Sequence, residues 1–254
     1  MIYKKTEGKG EDVVLLHGWT ADHAYIAPMA EQLSPRFRVT SFDLPGCGKS
    51  SWDPTCKTMD GIAELLVPHL PKQFIVIGWS FGGVIAISLA ARYPERVKRF
   101  IGIGTTPRFT EGKDWPGVPH PGFQASYERA KEIGLKAFRH AYFDSEFARF
   151  DPKPERYHRL IHLLDTHPPM DLDTWIAGLR IIDDADLRNE FHSLRCPIDF
   201  ILGSQDKSVP QEITGKLKAL NPHCKVHLIP QAGHLPLWTD PDEFNRVLRA
   251  IMKI

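Results

Sequence analysis

A chain of 254 residues, 42% hydrophobic and 25% charged, has the size and composition of one globular domain with room for a small insertion. Its formal net charge of +1 excludes the strongly basic surface of a nucleic-acid binder, and no apolar run is long enough to span a bilayer. The opening MIYKKTEGKG lacks the apolar core of a signal peptide, and Cys47, Cys56, Cys196 and Cys224 form no C-x-x-C pair; a soluble, cytoplasmic protein with reduced thiols is expected.

In chain order, the first apolar run is Asp12–His17, which leads into His17-Gly18-Trp19-Thr20. A second, Arg38–Phe42, is followed by Asp43-Leu44-Pro45-Gly46-Cys47-Gly48-Lys49-Ser50. That turn approaches a phosphate loop, but Asp43 stands where G-x-x-x-x-G-K-[ST] requires Gly, so a tight turn is the better account. Met59–Leu70 has helical spacing, Gln73–Gly78 reads as a strand, and Gly82–Tyr93 again as a helix. Arg99–Gly104 is the next strand. From about Pro107 to Leu194 no strand pattern appears; a Pro/Gly-rich loop leads into helical patterns rich in aromatics, Arg and His. A structureless loop of that length is implausible, so residues 107–194 are expected to form a helical cap. Ile198–Gly203 and Lys225–Ile229 complete the strands, with helices over Gln211–Leu220 and Asp242–Ile251.

Continuously apolar strands alternating with helices predict a mostly parallel sheet covered on both faces. The core would comprise residues 1–106 and 195–254.

The strongest chemical signal is Gly78-Trp79-Ser80-Phe81-Gly82, a G-x-S-x-G between a strand and a helix. Small neighbours allow the tight turn that stands a serine at the carboxyl edge of a sheet, beside free helix N–H groups. A serine hydroxyl needs a base. Among 12 histidines, His234 follows the last strand in Gln231-Ala232-Gly233-His234, at the same sheet edge. Asp206 follows a strand and precedes His234, the position from which an acid accepts the imidazole N–H and fixes its tautomer. His17 reads as part of an oxyanion loop, with the N–H groups of Trp19 and Phe81 as the two donors. His120, His140, His158, His162 and His167 fall in the cap, without a metal-binding pattern; no metal and no cofactor are expected.

With these pieces placed, the sequence resembles the α/β-hydrolase family along nearly its whole length, through LLHGW, FDLPGCGKS, GWSFGG, the Asp206 turn and AGH. Within it, the chain is most similar to the pimeloyl-acyl-carrier-protein methyl ester esterases of biotin synthesis. That likeness rests on Leu16-His17-Gly18-Trp19, Asp43-Leu44-Pro45-Gly46, Gly78-Trp79-Ser80, Thr106-Pro107-Arg108-Phe109, Trp115-Pro116-Gly117-Val118 and Gly122-Phe123-Gln124. The resemblance implies hydrolysis of a methyl ester carried on acyl carrier protein, by a monomer. An apolar slot would be lined by Trp19, Phe81, Phe138, Phe143 and Phe147; Arg139, Arg149, Arg156 and Arg159 would meet the acidic carrier. A general short-chain carboxylesterase, a C–C bond hydrolase and a ligand-binding receptor on the same scaffold are the alternatives. A haloalkane dehalogenase is disfavoured because Ser80 occupies the position where that class carries Asp.

Overall fold

The computed structural model describes residues 1–54, 56–167 and 170–254. Seven strands, β1 (Lys4–Glu7), β2 (Glu11–Leu16), β3 (Phe37–Phe42), β4 (Phe74–Trp79), β5 (Val97–Ile103), β6 (Ile198–Gly203) and β7 (Cys224–Ile229), form one sheet in the order β1-β3-β2-β4-β5-β6-β7. All neighbours are parallel except β1, which pairs antiparallel with β3 at the edge. The six parallel strands are those expected from the sequence, within two residues at each end. Strand β1 was not expected.

Both faces of the sheet are buried, and the strands show it residue by residue. Val13 and Leu15 pack on one face with Ile75, Ile77, Ile101 and Ile201; Val14 and Leu16 pack on the other with Phe74, Val76, Phe100 and Phe200. Alternate side chains point to opposite faces, so a strand covered twice is apolar at most positions; Thr40 and Ser41 in β3 and Asp199 in β6 are buried polar exceptions.

The first face is covered by α1 (Ala27–Leu33) and α11 (Pro241–Met252). Helix α11 buries Phe244, Val247, Leu248, Ile251 and Met252, the stripe that 3.6-residue periodicity predicts. The second face carries α2 (Met59–Leu66), α3 (Phe81–Arg92) and, further along the chain, α8 (Arg188–Ser193) and α9 (Ile213–Leu220). Helix α3 buries every residue from Phe81 to Ala90, because the sheet lies beneath it and α2 and α8 flank it.

Between β5 and β6 come α4 (His120–Ile133), α5 (Leu135–Glu146), α6 (Glu155–Thr166) and α7 (Leu172–Asp184), followed by α8; α4, α5 and α7 place side chains around the cavity at the carboxyl edge of the sheet, and α6 packs against α5. Helix α8 lies against α3, with Phe191 fully buried beside Phe200, so it packs as part of the core layer. A short helix, α10 (Pro236–Thr239), separates His234 from α11.

Candidate active site

Four strand ends deliver the site: β2 supplies His17 to Thr20, β4 supplies Ser80, β6 supplies Asp206 and β7 supplies His234. Ser80 adopts φ 53° and ψ −119°, a conformation strained for a residue with a Cβ. Its backbone is held there from three sides: its N–H donates to Ile103 O at 2.8 Å, and its carbonyl accepts from Gly83 N–H and the Thr105 hydroxyl. The glycines are steric necessities. A Cβ on Gly78 would stand 2.4 Å from Gly82 O, and one on Gly82 would stand 2.4 Å from Leu16 O.

Ser80 Oγ lies 2.8 Å from His234 Nε2, and His234 Nδ1 lies 2.8 Å from Asp206 Oδ2. The other Asp206 oxygen accepts from the Ser208 and Val209 N–H groups, which aims the carboxylate at the imidazole. His234 and Asp206 are both buried. The sequence thus named three residues that the fold brings into one hydrogen-bonded line.

Two further residues grip the histidine, and sequence reasoning missed both. Glu146 at the end of α5 accepts from the His234 N–H at 2.7 Å, and Trp79 Nε1 donates to the His234 carbonyl at 2.9 Å. Burial pushes the Glu146 pKa up.

Burial alone would lower the His234 pKa; the Asp206 charge and hydrogen bond, with a smaller contribution from Glu146, outweigh it and hold it above 6.5. The imidazole must be neutral to take a proton from Ser80. The kcat/KM for a soluble ester should therefore fall about tenfold per pH unit on the acid side, with a midpoint above 6.5. A midpoint at or below that value in the pH–rate profile would show that Asp206 does not govern the base.

The loop after β2 is fixed by His17. Its Nε2 accepts from Leu44 N–H at 2.9 Å and its Nδ1 lies 2.7 Å from Gly18 O, so both ring nitrogens are engaged; burial lowers its pKa. Phe81 N–H opens α3, where first-turn donors have no helical partner. The Trp19 N–H makes no hydrogen bond among the described residues. Trp19 itself is clamped by the cap: its Nε1 donates to Trp175 O, and its ring lies on Gly178, where a Cβ would come within 2.0 Å of it.

Above Ser80 and His234 is a cavity of about 210 Å³ lined by Trp19, Trp79, Phe109, Phe123, Phe138, Tyr142, Phe143, Trp175 and Arg139. Trp19, Phe138 and Phe143 stand where an acyl slot requires. Phe81 does not: it is fully buried, with its ring edge-on to Trp19, which it supports. Phe147 is also absent from the lining. Helix α5 ends at Glu146, and the Phe147 ring turns under the cap against Phe150 and Tyr157.

The four cap arginines do not form one cationic face. Arg139 is only 4% exposed and donates to Thr20 O and Tyr25 Oη, so it is not available to a protein partner. Arg149 pairs with both oxygens of Asp240 and lies over the Phe150 ring. Arg156 donates to Thr239 O and also lies over Phe150. Arg149 and Arg159 are both exposed, and of those two only Arg159 makes no ion pair among the described residues.

Asp22, His23 and Asp43 are the one group among the described residues with metal-compatible spacing. Their atoms already brace the loop: Asp43 accepts from His23 and from the Lys49 N–H, and Asp22 accepts from the Ala24 N–H and faces His167. The Gly46–Lys49 segment is a turn, with Cys47 N–H bonded to Leu44 O.

A seven-stranded, mostly parallel sheet with Ser80, His234 and Asp206 aligned at its carboxyl edge defines a serine hydrolase. Residues 13–241 match the family model described as alpha/beta hydrolase fold, and the chain belongs to that family. Similar curated relatives include the pimeloyl-[acyl-carrier protein] methyl ester esterases of Pectobacterium atrosepticum and Aliivibrio fischeri. The first is 32% identical over 96% of this chain and 95% of its own length, the second 32% over 99% and 97%. Among solved structures, an esterase from Exiguobacterium antarcticum superposes with a TM-score of 0.87 at 23% identity, covering 100% of this chain and 96% of that one. A thermophilic esterase from Thermogutta terrifontis gives 0.80 at 25% identity, covering 99% and 93%. Among the described residues, no helix is long and apolar enough to cross a membrane.

Proposed function

We propose that this chain is a cytoplasmic, monomeric serine esterase that hydrolyses the methyl ester of pimeloyl-[acyl-carrier protein], with Ser80, His234 and Asp206 as its catalytic groups. The observation that carries the reading is the hydrogen-bonded Ser80–His234–Asp206 line beneath an apolar cavity, in a chain whose end-to-end relatives bear that name. Ser80 Oγ attacks the ester carbonyl as His234 Nε2 takes its proton. The Trp19 and Phe81 N–H groups receive the oxyanion. The tetrahedral adduct collapses, His234 returns the proton to the methoxy oxygen, and methanol leaves. Water, deprotonated by the same imidazole, then cleaves the acyl-enzyme to the free carboxylate. Helices α4, α5 and α7 are the part of the cap that shapes the acyl slot, through Phe123, Phe138, Phe143 and Trp175.

Of the two exposed arginines, Arg149 is already paired with Asp240, which leaves Arg159 as the one suited to contact with an acidic carrier. Methanol release from the carrier-bound methyl ester, measured against p-nitrophenyl butyrate, tests the reading. The carrier-bound ester should be preferred. Arg159→Glu should raise its KM about threefold to tenfold, the range expected for one rim charge, while hydrolysis of the small ester is retained. Fast cleavage of the small ester alone would reduce the protein to a general carboxylesterase.

A further inference from the structure

The least expected group in the cavity is Arg139. It is 4% exposed, it lines the same cavity as Ser80, and its Nε and Nη1 have no hydrogen-bond partner. Only Nη2 is engaged, by Thr20 O at 2.7 Å and Tyr25 Oη at 3.1 Å. Among the described residues no carboxylate lies within ion-pair distance of it. The groups around it do not neutralise it. Burial pushes the Tyr25 phenol up to about 12 and the Cys47 thiol higher still, so both stay protonated. Asp22 acts only at a distance, its oxygens being taken by the Ala24 N–H and His167.

A guanidinium held out of water with free donors is a poor resting arrangement, and an incoming anion completes it. Its fork of N–H groups fits the two oxygens of a carboxylate. The structure lacks that anion in its own side chains; ester hydrolysis makes one in this cavity. The geometry points to Arg139 as a carboxylate-binding group of the active-site cavity, taking the acid released by hydrolysis or a free carboxylate elsewhere on the ligand. The inference rests on reading this cavity as the site of ester hydrolysis, which turnover of p-nitrophenyl butyrate tests separately.

The test uses matched pairs at one fixed pH on the alkaline plateau of the measured pH–rate profile. Heptanoate and heptanamide differ by one charge at equal length. As inhibitors of p-nitrophenyl butyrate hydrolysis by the wild-type protein, heptanoate should bind about tenfold to a hundredfold tighter, as charged hydrogen bonds imply. Monomethyl and dimethyl pimelate, compared by KM, test the other source. A preference for heptanoate assigns the product acid to Arg139. A preference for monomethyl pimelate alone assigns the remote carboxylate. Equal binding within both pairs overturns the proposal, and that comparison needs no variant. Arg139→Gln, which retains an amide donor for Thr20 O, should abolish whichever preference is found, and Arg139→Lys should keep part of it. A preference that survives Arg139→Gln in a variant with an unchanged melting curve would assign the anion to another group and overturn the proposal.

Discussion

Ser80→Ala and His234→Ala should each lower kcat for ester hydrolysis by about 10⁴-fold or more, with little change in KM. The geometry gives the reason. Ser80 Oγ is the atom within hydrogen-bond reach of His234 Nε2, and His234 is aligned by Asp206 from the far side. Without the hydroxyl no acyl-enzyme forms; without the imidazole the hydroxyl keeps its proton at neutral pH. The two losses should not add. The double variant should fall within about tenfold of either single one, because serine and base act in the same proton transfer. Asp206→Asn removes the charge that holds the His234 pKa up and should cost about 10³–10⁴-fold. The measurement is burst and steady-state hydrolysis of p-nitrophenyl butyrate by purified variants with melting curves like that of the parent. Activity within tenfold of the parent in either single variant would remove that residue from the mechanism.

Much of this site is legible in the chain because strand ends are legible. A strand buried on both faces is mostly apolar, so its carboxyl end shows as a break in the run: Ser80 directly after β4, and the small-residue turn before Asp206 after β6. Strand β7 is half exposed, and there Ala-Gly-His itself is the signal. Edge strand β1 carries no such signal. Its four residues, Lys-Lys-Thr-Glu, are nearly all exposed and need only backbone pairing with β3. Helix α1 has seven residues, with Pro28 in its first turn, and buries only Met29, Ala30 and Leu33, too little periodicity to read.

Helical spacing between β5 and β6 is legible in the chain, but the cavity lining is not, because side-chain direction there depends on how α5 is rotated over the sheet. Arg139, Tyr142, Phe143 and Glu146 are spaced i, i+3, i+4, i+7 and share one helix face. Arg139, Tyr142 and Phe143 line the cavity, and Glu146 reaches the His234 N–H. That spacing was the available signal: a cation and an acid on an otherwise aromatic stripe point inward with it. The four cap arginines do not share a surface: Arg139 on α5 is buried against the cavity, whereas Arg159 on α6 is exposed.

Gly82→Ala should lower both stability and turnover, through one methyl group. Its Cβ would stand 2.4 Å from Leu16 O and 2.6 Å from His17 O. Both are backbone atoms, one in β2 and the other in the loop that carries the Trp19 N–H. Neither can swing aside as a side chain would. To admit the methyl, α3 must lift from the sheet or the loop must move outward. Lifting α3 unpacks a helix buried from Phe81 to Ala90 and should cost about 2–4 kcal/mol. Moving the loop displaces the Trp19 N–H, the proposed oxyanion donor, and should cost about 10²–10³ in kcat. The contrast is Gly215→Ala in α9. Nothing lies within 4 Å of a Cβ there, and the residue is exposed, so alanine should stabilise by about 0.5–1 kcal/mol through helix propensity alone. Urea unfolding of the two variants beside the parent, with kcat measured on the same samples, separates these effects. If Gly82→Ala unfolds at the parent's midpoint and turns over at the parent's rate, α3 and the oxyanion loop are not in the close contact that places the oxyanion donors on either side of Ser80.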